Sequence, residues 1–149
     1  MAEANPKNRD VPSECFYSLD NDSGIFRSAW ARGENNAGRA GEYAPLLTSL
    51  IADWRETWGW PEMPFLLVQL PNYMAKQDKP SDSGWARLRE AQFQVSRNVP
   101  HTALAVTYDA GEWNDIHPLD KKTVARRLFL GARKIVYGEK VAASGPIYK

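Results

Sequence analysis

From Tyr43 onward the apolar positions keep a helical step. Leu46, Leu47, Leu50, Ile51, Trp54 and Trp58 recur at intervals of mostly three and four residues, which predicts an amphipathic helix. Gly59 and Pro61 predict its end. PFLLVQL, 64–70, is a continuous apolar run bounded by prolines. It reads as a strand buried on both faces of a parallel sheet. The polar stretch from Pro71 to Gly84 reads as a loop long enough to be functional. Helical spacing returns at Trp85, Leu88, Gln92 and Val95, and TALAVTYD, 102–109, reads as a second buried strand. Asp120 stands where an N-cap belongs, ahead of the stripe Val124, Leu128, Ala132, Ile135 and Val136. Gly138 closes that helix.

The opening of the chain is different. Pro6, Pro12, Asn21 and Gly24 interrupt any period, so residues 1–25 are expected to form an irregular lead-in. Residues 26–149 are then a single domain. GIFRSAW, 24–30, reads as a short strand and GENNAGRAG, 33–41, as a loop. Strands and helices alternate from there on. That order predicts an α/β fold with right-handed crossovers and a parallel sheet carrying helices on its faces.

Composition narrows the function by exclusion. Nineteen Lys and Arg balance eighteen Asp and Glu for a formal net charge of +1, so no electrostatic footprint for nucleic acid is present. No stretch reaches the roughly 20 apolar residues of a membrane helix. MAEANPKNRD has no apolar core of a signal peptide, which leaves the location open. The single cysteine, Cys15, cannot form an internal disulfide. There is no H-E-x-x-H and no paired Cys/His spacing, so no metal site and no cofactor are expected.

Candidate chemistry follows from where the strands end. In an open parallel sheet the ligand crevice lies beyond the carboxyl ends of the strands. His101 precedes the 102–109 strand and falls at the wrong end; His117 follows it and falls at the right one. A histidine can take a proton from a hydroxyl when a carboxylate fixes its tautomer, and Asp115 or Asp109 is near enough in sequence. The same spacing equally suits residues that cap the helix beginning near Asp120. GENNAGRAG approaches a phosphate loop, but Arg39 and Ala40 replace the lysine and hydroxyl that such a loop needs. It reads better as a source of oxyanion donors, through the Gly33 N–H and the Asn35 and Asn36 side chains. An ordinary asparagine-rich turn is the alternative.

WARGENNAGRAGEYAPLLTSLIADWRETWG, MPFLLVQLPNY, WARLREAQ, AVTYDAGEWNDIHPLDKKTVARRLFLGAR and YGEKVAASGPIY occur in this order. Together they resemble the sialate O-acetylesterase family, a branch of the SGNH (GDSL-like) hydrolases, over about residues 29–148. The resemblance implies a flavodoxin-like three-layer α/β/α sandwich, here incomplete at its N-terminal side. It implies a serine esterase that removes acetyl groups from sugar hydroxyls through an acetyl-enzyme, with no cofactor.

The family's QGESN segment reads Arg32, Gly33, Glu34, Asn35, Asn36 here. Gly33 and Asn36 match its polar donors. Arg32 and Asn35 depart from it, and the first bears on substrate contacts. The DIHP segment matches at Asp115, Ile116, His117 and Pro118; the resemblance implies His117 as the general base, and Asp115 is the first candidate for its acid, with Glu34 second. Many relatives place the acid three positions before the histidine, where this chain has Asn114.

The family's nucleophile block, GQSN-like and well upstream, has no counterpart in this sequence. Ser23, in NDSGIF, is its only local imitation. The expectation is therefore the carboxyl-terminal portion of such an esterase, acting on an acetylated carbohydrate and completed by self-association or by a missing N-terminal half. Trp113 is a candidate sugar-stacking face, or else a core residue. The rival function is a non-catalytic carbohydrate-binding or interaction module on the same scaffold.

Overall fold

A computed structural model describes residues 16–19, 26–30, 33–117 and 119–147. Four strands form one sheet: β1 (Phe16–Leu19), β2 (Phe26–Trp30), β3 (Phe65–Val68) and β4 (Thr102–Ala105), side by side in that order. β2, β3 and β4 are parallel, as the alternation of elements requires. β1 runs antiparallel to β2 and pairs Phe16 with Ala29 through Leu19 with Phe26. Residues 16–19 therefore form a strand inside a stretch expected to be irregular. Its residues FYSL are good strand formers, and a short link to β2 permits an antiparallel return that a parallel pairing would not.

The alternation of side chains along β3 assigns the helices to faces. Phe65 and Leu67 point into a core built with Tyr43, Leu47 and Ile51 of α1 (Ala40–Thr57) and Trp85, Leu88 and Val95 of α2 (Gly84–Asn98). Leu66 points the other way, toward α3 (Lys121–Ile135). Gly131 allows that helix a close approach, because a Cβ there would lie 3.1 Å from the Ala103 side chain and 3.5 Å from that of Leu66. The fold is thus α/β, with helices on both faces of a small sheet.

Two features depart from the expected boundaries. The strand predicted over 102–109 stops at Ala105, and Thr107 leaves the ladder to bond across to Gln69 O through its buried hydroxyl. GENNAGRAG is not an open loop. Residues Glu34–Arg39 wind as a 3-10 helix directly into α1.

The carboxyl ends of β3 and β4 are fastened by side chains. Gln92, buried on α2, accepts from Leu70 N–H at 2.9 Å. Trp85 donates its indole N–H to Pro71 O at 2.7 Å. Buried groups bonded in this way cannot be removed cheaply, because the partner is left unpaired in a low dielectric.

Candidate active site

Three turns leave the carboxyl edge of the parallel strands: one at Gly33 after β2, one at Pro71 after β3, and one at Gly111 after β4. Adjacent strands lie about 4.8 Å apart, so the first and third turns begin roughly 10 Å from each other across β3.

Close packing ties them together. The carbonyl of Ala37 lies against Gly84 at the start of α2, where a Cβ would approach it to 2.2 Å. Trp85, the next residue, holds Pro71. Gly111 in turn lies against Pro71 and Asn72, with no room for a side chain. Met74 N–H then bonds Trp113 O at 2.7 Å.

The Gly33 turn is rigid. Its φ of 141° is a glycine conformation, and a Cβ there would meet the Tyr43 ring at 2.9 Å. Gly33 O accepts from Asn36 N–H at 2.8 Å. The Gly33 N–H is engaged at 3.0 Å by the Glu34 carboxylate. An amide expected to face an oxyanion therefore already holds an anionic oxygen. Glu34, the second candidate for the acid, makes this bond through Oε2. Asn36 is half-buried and Asn35 is exposed.

The third turn carries Asp115 and His117. Asp115 Oδ1 accepts from the His117 backbone N–H at 2.7 Å and lies 3.4 Å from His117 Nδ1. The carboxylate closes its own turn and sits beside the imidazole, leaving Nε2 directed away from it. The helix-capping alternative is excluded. Asp120 caps α3, its Oδ1 accepting from Thr123 N–H at 3.0 Å, and those bonds hold its carboxyl below the usual carboxylate range.

Asp109, the other candidate orienting acid, belongs elsewhere. Arg127 grips both of its oxygens, with Nη2 to Oδ2 at 2.7 Å, and this hydrogen bond pulls the carboxyl below its ordinary pKa. His101 stands at the amino end of β4 beside Glu62, at 3.7 Å, away from this edge.

Trp113 is 62% exposed, which rules out the core-packing alternative. Met74 is exposed beside it and has a positive φ of 76°, a strained value for a residue with a side chain. Sequence patterning gave no sign of Met74, nor of Asn72, whose buried Oδ1 finds no partner. Only Gly111, a glycine just past an apolar run, carried a signal. Ser23 and Arg32 lie outside the described residues, as do Cys15 and Pro118. Among the described residues no group of three His, Cys, Asp or Glu gathers as metal ligands, and no helix is long and apolar enough to cross a membrane.

Gly33, Asn36 and His117 thus lie beyond the carboxyl ends of the strands, where open α/β sheets bind their ligands. A solved carbohydrate acetylesterase from Xanthomonas citri superposes with a TM-score of 0.75 and 41% identity, over 81% of this chain and 28% of that one. By sequence the chain is similar to proteins named sialate O-acetylesterase. It is 38% identical over 138 residues to the enzyme of Mus musculus and 40% identical over 138 residues to that of Rattus norvegicus, in each case across 80% of this chain. The human enzyme is 38% identical over 136 residues. The chain spans about a quarter of the length of these curated relatives. No family model matches it.

Proposed function

We propose that this chain carries the general base and the oxyanion-stabilising turn of a carbohydrate O-acetylesterase with the three-layer SGNH-type sandwich. The observation that supports this most is the placing of Asp115 and His117 on the same strand edge as Gly33 and Asn36, in a chain about 40% identical to named sialate O-acetylesterases. The substrate is an O-acetylated sugar of the sialate type. Trp113 and Met74 offer it an exposed apolar face.

In the proposed reaction a serine Oγ attacks the acetyl carbonyl while His117 Nε2 takes its proton. Asp115, beside Nδ1, stabilises the resulting imidazolium. The oxyanion displaces the Glu34 carboxylate from Gly33 N–H, and the Asn36 side chain gives a second donor. His117 returns the proton to the sugar oxygen as it leaves. Water, deprotonated by His117, then attacks the acetyl-serine, acetate leaves, and His117 returns the proton to the serine Oγ. The serine is Ser23 or one supplied from outside the described residues.

Turnover of p-nitrophenyl acetate and of an O-acetylated sialic acid tests the reading, with His117→Ala and Ser23→Ala beside the parent. A fluorophosphonate label with peptide mapping identifies any activated serine. The reading expects turnover, with a loss of at least about 100-fold in His117→Ala. Unchanged turnover in that variant overturns it. The second reading, a saccharide-binding module without catalysis, is favoured by the 80% exposure of the His117 side chain and its loose 3.4 Å approach to Asp115. Saccharide binding with neither turnover nor labelling decides for it.

A further inference from the structure

We propose that the outer edge of β4 is a docking groove for an extended, acidic segment of a partner polypeptide, which adds to the sheet as a further strand. The proposal is independent of ester chemistry.

β4 ends the sheet among the described residues. His101 O and Ala105 O accept from Phe65 N–H and Gln69 N–H, so the odd-numbered residues of this strand turn their peptide groups toward β3. Alternation turns those of Thr102, Leu104 and Val106 outward. Val106 O is already taken by Arg127 Nη1 at 2.8 Å, which leaves the outward groups of Thr102 and Leu104 for a partner. Thr102, Leu104 and Val106 line a groove of about 620 Å³ between α2, α3 and the tail 142–147.

Its chemistry is lopsided. Phe93, Leu104, Leu130 and Ile135 give an apolar lining. Four cations, Arg97, Arg126, Arg127 and Lys134, face one carboxylate, Asp109, in a chain balanced as a whole at nineteen to eighteen. Arg127 is matched to Asp109. Arg126, Leu130 and Lys134 follow one another at four-residue steps and so share one face of α3. The outward main-chain groups of Thr102 and Leu104, the apolar lining and the surplus positive charge together suit a strand that alternates apolar and acidic residues. A second copy of this chain is disfavoured, because pairing two such edges would set the same cations against each other.

The test is titration of the ¹⁵N-labelled chain with a blocked octapeptide of alternating glutamate and valine. The proposal expects amide shifts at residues 102–106 and along the groove faces of α2 and α3. It expects binding to weaken with salt and by at least tenfold when lysine replaces glutamate in the peptide. The double variant Arg126→Glu, Lys134→Glu changes two exposed helix positions. With its circular dichroism unchanged, it should also bind the acidic peptide at least tenfold more weakly. Absence of shifts at 102–106, equal binding of the lysine peptide, or equal binding of a peptide with alternate amides N-methylated overturns the proposal. So does concentration-dependent dimerisation through the same amides.

Discussion

The turns at Gly33 and at Asp115–His117 leave the same edge of one sheet, yet they are held in opposite ways. The Gly33 turn is wedged under Tyr43, wound into a 3-10 helix, and pressed against the start of α2. The Asp115–His117 turn rests on the core through Ile116, leaves His117 exposed, and is closed by its own aspartate. Donors for an oxyanion must be fixed before reaction, since their worth lies in costing no reorganisation. A proton carrier must reach two oxygens in succession and can tolerate more freedom. Under the proposed roles the difference predicts that stability will be governed by the first turn and chemistry by the second.

The sharpest way to break the contrast is Gly33→Ala. A side chain at φ 141° and 2.9 Å from the Tyr43 ring should cost about 3 kcal/mol, read as a lower urea midpoint with unchanged slope. Gln92→Leu should cost about 2 kcal/mol by stranding the Leu70 N–H, which has no other partner in the core.

The Asp109–Arg127 pair is a smaller effect with a definite sign. The carboxyl titrates below its unfolded value, so its contribution is complete above about pH 4 and fades as pH falls through the depressed folded value. The Asp109 side chain is 48% exposed, which limits the contribution to under about 1 kcal/mol. Arg127→Met should remove that acid-side slope from the stability curve. The smallest change in stability belongs to His117→Ala, within about 0.5 kcal/mol, although this is the variant expected to lose turnover. A large destabilisation there would erase the distinction between the two turns.

Much of the framework was legible because it rests on periodicity. The step of apolar residues along α1 and α2 located both helices, and the unbroken FLLV run located β3. Asp120 announced α3 through capping chemistry that is local in sequence. What the pattern could not carry were contacts between segments far apart in the chain. Thr107 ends β4 early because its hydroxyl reaches Gln69. Arg127 claims Asp109 from eighteen residues away, and nothing near Asp109 discloses it. The engagement of Gly33 by Glu34 is local, but the sequence did not reveal which way the carboxylate would fold. Met74 bonds Trp113 O across the gap between two loops, and methionine itself gives no hint of its positive φ.

The central claim is that both turns face one substrate. Titrating the ¹⁵N-labelled chain with an O-acetylated sialic acid, beside the deacetylated sugar, tests it without requiring turnover. The account predicts that the acetylated sugar shifts the amides of 33–36 and of 113–117 together, with a single affinity, and that the deacetylated sugar loses the shifts at 33–36. Shifts at only one of the two turns, or two different affinities, would contradict it.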